Sequence, residues 1–347
     1  MRLDTRRDQQ VTATILDVAA LAGVSRTTVS RVMNEPERVT VRTLERVRAA
    51  AASLNYHPSA AARTLRSGRT GTIALVVGDI SQPFHGALAQ AVAGEADRRN
   101  MSVVFHDLAH REERLVAVLD KLATQGIDAV VICTADALDS DRSTEAMAIL
   151  TAQGIPAINS LGGAAVPGML TLGLDHADSS HAATVALSRA GARSIGLLLG
   201  NPDDSYSRQL GAGYRAALAE VGLAAADREL VLTGGYSFER ARAAVAGLLD
   251  AGTPLDALVV ANTPMALGAL RAAGDGGLSI PRDLMLICCE DVELAGQVSP
   301  GIATLAVEVA TSGREIMVLL DQALQGLVPV PDKLLPVLRH RESFLSR

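Results

Sequence analysis

At 347 residues, 48% apolar and 20% charged, the chain is too long for one undivided core at roughly 100 to 200 residues per domain, and its composition excludes disorder. The formal charge of −6 argues against nucleic acid until it is divided: residues 1–70 hold 12 Arg, no Lys and 6 acids, a net of +6, and the remainder carries −12. A basic head on an acidic body confines phosphate contact to the head, and an odd cysteine set with Cys288 and Cys289 adjacent excludes a disulfide framework or a spaced metal-ligand set.

The opening MRLDTRRDQQ lacks the apolar stretch of a secretory signal, and no apolar run reaches the ~20 residues of a membrane span, so a cytoplasmic protein is expected. Three short helical patterns follow. Ile15, Val18, Ala19 and Ala22 make one apolar stripe that Gly23 ends at a turn. Ser25 is a good N-cap for a second helix through Met33, with Val29, Val32 and Met33 buried and Arg26, Thr27, Ser30 and Arg31 on the other side. A third helix, from about Val41 to Leu54, buries Leu44, Val47, Ala51 and Leu54. Pro58 breaks the pattern, SAAARTLR is a marginal two-turn helix, and SGRTG is a flexible link.

From Thr72 onward, nine strand-like runs (IALVV, SVVFH, AVVICT, PAIN, LTLGL, SIGLLLG, LVLTG, ALVVAN and LMLICC) alternate with helical patterns. Runs apolar on both faces and separated by amphipathic helices predict parallel strands in βαβ units. So many units exceed one typical sheet, which predicts two doubly wound lobes with a ligand cleft at the carboxyl ends of their strands. Three domains of function are expected: a helix-turn-helix head over 1–58, a hinge over 59–71, and an effector-binding and dimerisation body over 72–347.

The series DVAALAGVSRTTVSRVMN, followed by VTVRTLERVRAAAASLNYHPSAAARTL, resembles the DNA-binding head and hinge of the LacI/GalR family of transcriptional regulators. The resemblance continues through ALVVANTPMALGALRAAG, GLSIPRDLMLICCED and the C-terminal LLPV, and implies lobes with the fold of periplasmic sugar-binding proteins. It implies a homodimer or tetramer that binds palindromic operator DNA, most often as a repressor, and responds to a sugar or other small metabolite in the cleft. No cofactor is implied. Helix-turn-helix geometry lays the second helix in the major groove, so Ser25, Arg26, Thr27, Thr28, Ser30 and Arg31 are the candidate readers, with Arg26 and Arg31 able to grip guanine. By resemblance, Thr14, Asn34, Thr40, Arg42 and Tyr56 contact the DNA backbone. Also by resemblance, Ser59 to Leu65 forms a hinge helix whose Leu65 wedges into the minor groove, with Ala60, Ala61 and Ala62 allowing two such helices to pack.

The candidate cleft loops supply Asp79, Ser81, Phe84 and His85, then Thr134, Asp175, Arg208, Asn262 and Glu290 as effector contacts. Two positions depart from the family's pattern. Leu210 stands where many members carry a ligand-holding Arg, and Arg208, two residues earlier, points about 200° away around a helix. Where relatives read Gly-aromatic-Asp-Asp, this chain reads Cys288, Cys289, Glu290 and Asp291, so an aromatic platform is lost and a sugar is not assured. Gly211-Ala212-Gly213 matches only part of a dinucleotide fingerprint, and His106, Asp107 and His110 read as a strand end and loop rather than a metal site. The competing reading is a solute-binding or enzymatic αβ protein with an incidental helical head; it lacks both an export signal and a motif that licenses a nucleophile.

Overall fold

The structure, a computed structural model, describes residues 13–56, 68–136, 138, 140–162, 167–223 and 230–344. The chain divides into two compact units, residues 1–70 and 71–347.

In the first unit, α1 (Ile15–Ala22), α2 (Arg26–Asn34) and α3 (Val41–Ser53) follow one another, with a 3-10 turn at Pro36–Arg38. Thr14 and Asp17 close a capping box on α1, satisfying N–H groups that the first turn leaves unpaired. Gly23, at φ 60°, ends α1 in the left-handed conformation that a side chain rarely adopts. Val18, Val29 and Val47, one from each helix, are fully buried at the centre of a small shared core. The guanidinium of Arg46 on α3 donates to the carbonyls of Ala22 and Gly23, tying the third helix to the exposed end of the first.

In the second unit, the first lobe is a parallel sheet in the order β2-β1-β3-β4-β5: β1 (Thr72–Val77), β2 (Ser102–Asp107), β3 (Ala129–Cys133), β4 (Ala157–Asn159) and β5 (Met169–Thr171). Strand alternation divides β1 between two cores. Ile73, Leu75 and Val77 face α4 (Pro83–Arg98) and α11 (Val309–Leu324), while Ala74 and Val76 face α5 (Glu112–Leu122) and α6 (Asp141–Ala152). The edge strand β2 is the exception to the prediction of covered faces, since Val104 and Phe105 stay exposed at the sheet margin.

The second lobe has the order β11-β10-β9-β8-β6-β7, parallel except for β11. Its strands are β6 (Ile195–Leu199), β7 (Leu230–Thr233), β8 (Ala257–Val260), β9 (Met285–Cys288), β10 (Ala303–Ala306) and β11 (Val337–Arg339). They enclose one core with α7 (His176–Arg189), α8 (Ser205–Glu220), α9 (Phe238–Asp250) and α10 (Thr263–Asp275). Gly213 lets α8 close on α7: a Cβ there would stand 2.0 Å from the carbonyl oxygen of Ala177, so this glycine serves helix packing rather than phosphate binding.

The chain passes between the lobes after β5, after β10 into α11, and after α11 into β11. The first and last of these passages lie side by side: Leu174 pairs with Leu334, whose N–H donates to the Gly173 carbonyl at 2.8 Å. Both lobes thereby share a strand-like hinge. Among the described residues no helix is long and apolar enough to cross a membrane.

Candidate functional site

In the head, α2 separates its two sides by period. Val29 and Val32 are buried, while Arg26, Thr27 and Arg31 are exposed and Thr28 and Ser30 half-buried along the opposite stripe. Ser25 caps the helix by accepting from the Thr28 N–H at 3.1 Å, and its hydroxyl lies 2.9 Å from that of Thr28. Thr14 and Thr40 likewise cap α1 and α3, so three of the predicted backbone-contacting or reading hydroxyls are fixed at helix N-termini, where positive helix ends favour an anion. Arg42 is exposed in the first turn of α3. Asn34 is the last residue of α2, and Tyr56 packs half-buried against the head core. Ser59 and Leu65, with the rest of the predicted hinge helix, lie outside the described residues.

In the body, the strand-end loops of both lobes meet around a cleft that opens to solvent. Of the predicted effector contacts, Phe84, His85, Asp175, Asn262 and Glu290 line it. Four others do not, because each serves a local bond instead. Asp79 accepts from the Ser81 N–H and hydroxyl, both at 2.8 Å, folding the loop after β1 on itself. The Thr134 hydroxyl donates to Asp136 at 2.6 Å. Arg208 is exposed and donates to the carbonyl of Asp203, so the turn of α8 carries it away from the cleft, and buried Leu210 offers no substitute.

The sequence reading missed several residues that line the cleft, foremost Gln82, His110, His176, Tyr206 and Tyr236. The aromatic surface lost at Cys289 returns from other loops: Phe84, Tyr206 and Tyr236 are three of only eight Phe and Tyr in the chain. Tyr236 follows Gly234 and Gly235 at the end of β7 and takes φ 55°, a costly conformation for a side chain of that size. Its ring covers Gly200, where a Cβ would meet the ring at 2.0 Å, and its hydroxyl donates to Asp204 at 2.6 Å. A glycine pair after a strand was the available signal for this turn. Tyr206 donates to the Ala261 carbonyl at 2.8 Å and meets the edge of His176 at a centroid distance of 4.5 Å.

The polar groups divide by charge. Burial drives the His176 ring down to about 4, and its Nε2 sits 2.9 Å from the Leu161 carbonyl, so it is a neutral donor there. Burial likewise holds His85 below its usual value, with Nδ1 2.5 Å from the Asp79 carbonyl. His110, by contrast, is raised by its bond to Asp136 at 3.0 Å. Burial pushes the Glu290 carboxyl up to about 7 even though the Thr263 N–H, in the first turn of α10, donates to it at 3.0 Å. Asp291 is held between Arg339 and Arg341, each at 3.0 Å. The three cysteines are buried free thiols, and no cluster suited to a metal ion occurs among the described residues.

Asn262 joins three levels of this arrangement. Its Oδ1 caps α10 by accepting from the Met265 N–H at 3.1 Å, which fixes the amide and aims Nδ2 at Gln82 Oε1, 3.1 Å away in the other lobe. Gln82 Nε2 in turn donates to the Tyr236 carbonyl at 3.3 Å. Gln82 therefore bonds twice across the cleft, and the Ser205 N–H adds a longer bond to the Ala135 carbonyl at 3.4 Å.

Comparison with known proteins places these features in context. Residues 14–59 match the bacterial regulatory proteins of the lacI family, and residues 184–344 match the periplasmic binding protein-like domain. The HTH-type transcriptional regulator GalR of Escherichia coli is 34% identical over 324 residues, covering 92% of this chain and 91% of that protein. The HTH-type transcriptional repressor CytR of the same organism is 29% identical over 320 residues, covering 92% of each. Among solved structures, the Lac repressor dimer bound to operator and the anti-inducer ONPF matches with a TM-score of 0.79 and 26% identity over 95% of this chain and 98% of that one. A complex of the transcriptional regulator CelR with cellobiose matches with a TM-score of 0.68 and 29% identity over 96% and 100%. The relatives named are regulators of transcription, not enzymes.

Proposed function

The chain belongs to the LacI family of bacterial regulatory proteins, and from that premise we propose that it is a repressor whose head reads a palindromic operator as a dimer and whose cleft holds a small-molecule effector. The observation that carries this reading is the two-sided α2, with a buried valine face and an exposed Arg26, Thr27 and Arg31 stripe in a basic unit. Arg26 and Arg31 read bases; Ser25, Thr27, Thr28 and Ser30 flank them; Thr14, Asn34, Thr40, Arg42 and Tyr56 hold phosphates. Residues 1–58 act as the head, 59–71 as the hinge that Ser59 begins and Leu65 wedges into DNA, and 72–347 as the body. The protein acts in the cytoplasm, on the nucleoid.

In the body, Phe84, His85, Asp175, Asn262 and Glu290 contact the effector together with Gln82, Tyr206 and Tyr236, while Asp79, Ser81 and Thr134 shape the loops that carry them. A ligand shifts operator affinity only by binding the open and closed lobe arrangements unequally. The test is selection of binding sites from random DNA by the intact chain, followed by affinity measurements over a salt series. A two-fold symmetric motif with affinity falling steeply in salt supports the reading. Recovery of no motif refutes it.

A further inference from the structure

We infer that the cleft selects a cationic, hydroxylated ligand, an amino sugar or similar polyhydroxylated amine, with Glu290 as its counter-ion. This rests on the effector reading of the cleft and names the ligand class.

Among the described residues no Lys or Arg lines the cleft, so an anionic ligand would find no formal counter-charge there. His85 and His176 are held neutral by burial, and His110, the one ring raised, faces Asp136. Three acids line the same space: Asp175, Glu290 and Asp291. The charge of Asp291 is matched by Arg339 and Arg341. Asp175 caps α7 through the Ala177 N–H at 2.9 Å, and Lys333, which also feels its charge, is bonded to Asp178 at 2.7 Å and does not line the cleft.

Glu290 is different. The group that steadies it, the Thr263 N–H, is neutral, and the charged group it feels is another acid, Asp291. A half-buried carboxylate without a cation loses part of its hydration uncompensated, which a ligand ammonium would offset. The Tyr206 hydroxyl lies 3.5 Å from the carbonyl of Cys289, the residue before Glu290, and Tyr236, which lines the same cleft, is 6.5 Å from Tyr206 between centroids. A carboxylate beside aromatic rings is the arrangement that recognises an ammonium, by ion pairing and by the negative ring faces. The uncharged donors and acceptors at Asn262, Gln82 and Ser179 then meet hydroxyls.

The test uses the intact chain and matched probe sets in which one scaffold carries an ammonium, a hydroxyl or a phosphate: glucosamine, glucose and glucose 6-phosphate, with the galactose series beside them. Thermal shift and calorimetry at pH 7, where the amino sugar keeps its proton, should rank the ammonium member first. Glu290→Gln, nearly the shape of the protonated acid, should lower the preference for that member over its neutral counterpart at least about tenfold. Asp175→Asn serves as a second, exposed variant and should weaken the same member less. Tighter binding of a neutral or phosphorylated member, or an ammonium member indifferent to Glu290→Gln, overturns the inference. So does binding by no member while the chain still selects operator DNA. Failure to select any operator strikes instead at the reading of the whole chain as a regulator.

Discussion

Replacing Gln82 by Ala tests whether one side chain holds the lobes together in the absence of ligand. The substitution deletes the bond from Asn262 Nδ2 at 3.1 Å and the bond to the Tyr236 carbonyl at 3.3 Å. It leaves two other bonds between the lobes, the His176 ring to the Leu161 carbonyl at 2.9 Å and the Ser205 N–H to the Ala135 carbonyl at 3.4 Å, so the closed arrangement is weakened rather than abolished. At roughly 0.5 to 1.5 kcal/mol for each hydrogen bond, the closed arrangement loses about 1 to 3 kcal/mol. That shifts the closed-to-open ratio by about 5- to 150-fold. Water can reach Nδ2 of Asn262 in an open cleft, which favours the lower half of the range. Asn262 keeps its cap on α10, so the helix itself is not weakened. Spin labels at the exposed positions Asp120 on α5 and Ala243 on α9 report the lobe separation as a distance distribution. The unliganded Gln82→Ala chain should populate longer distances than the parent. An unchanged distribution would show that closure rests on the hinge strands and refute the latch.

Arg26→Ala should relax base preference at one or two operator positions at a cost of about 1 to 3 kcal/mol there, while Arg42→Ala should weaken all sequences alike; site selection with each variant separates the two. Arg46→Met should lower the stability of the head by about 1 kcal/mol, because the carbonyls of Ala22 and Gly23 lose their donor, and hydrogen exchange on α1 and α2 should rise while the body is unaffected. Glu290, raised by burial to about 7 from an unfolded value near 4.5, favours folding in its protonated form. Its contribution is therefore complete below pH 4.5 and is lost as pH rises through about 7, so Glu290→Gln should flatten the decline in unliganded stability over that window; a decline equally steep in the variant would assign it elsewhere. Gly200→Ala should displace the Tyr236 ring and weaken ligand binding with little effect on operator affinity of the unliganded chain, measured by calorimetry and DNA titration.

The elements were legible where burial acts through period. Each of the nine apolar runs contains or overlaps a strand, and the record is clearest for β1, β3, β6 and β8, which are covered on both faces. The two strands that escaped notice are β10, a four-residue run with Thr304 inside it, and β11, an antiparallel edge whose residues alternate between exposed and half-buried. Neither has enough apolar length to stand out from its surroundings. The cleft loops were legible too, since parallel sheets place their carboxyl ends on one side. Individual side chains were not. Asp79, Ser81, Thr134 and Arg208 have the chemistry to bind a ligand, yet each finds a partner within a few residues, and such local bonds form before any ligand competes for them. Gln82, Tyr206 and Tyr236 gain their positions from residues about thirty or more places away, a relation that spacing along the chain does not record.

Asn262 shows how a backbone requirement fixes the chemistry of the cleft. A helix begun with Pro264 in its first turn still needs its free N–H groups satisfied, and the amide oxygen of Asn262 answers that of Met265. The opposite end of the amide can then only donate. Glu290, anchored on the N–H of the next residue, Thr263, can accept through its charged form. One helix start thus sets a donor beside an acceptor at the boundary between the lobes, and Gln82 satisfies only the donor. A ligand offering an acceptor to Asn262 and a charged donor to Glu290 would replace the single amide bond with two bonds, one of them ionic. Its advantage over Gln82 would be greatest with the lobes closed, where water is excluded and the ion pair is strongest. That difference in binding between closed and open lobes is the quantity an effector needs in order to change operator affinity.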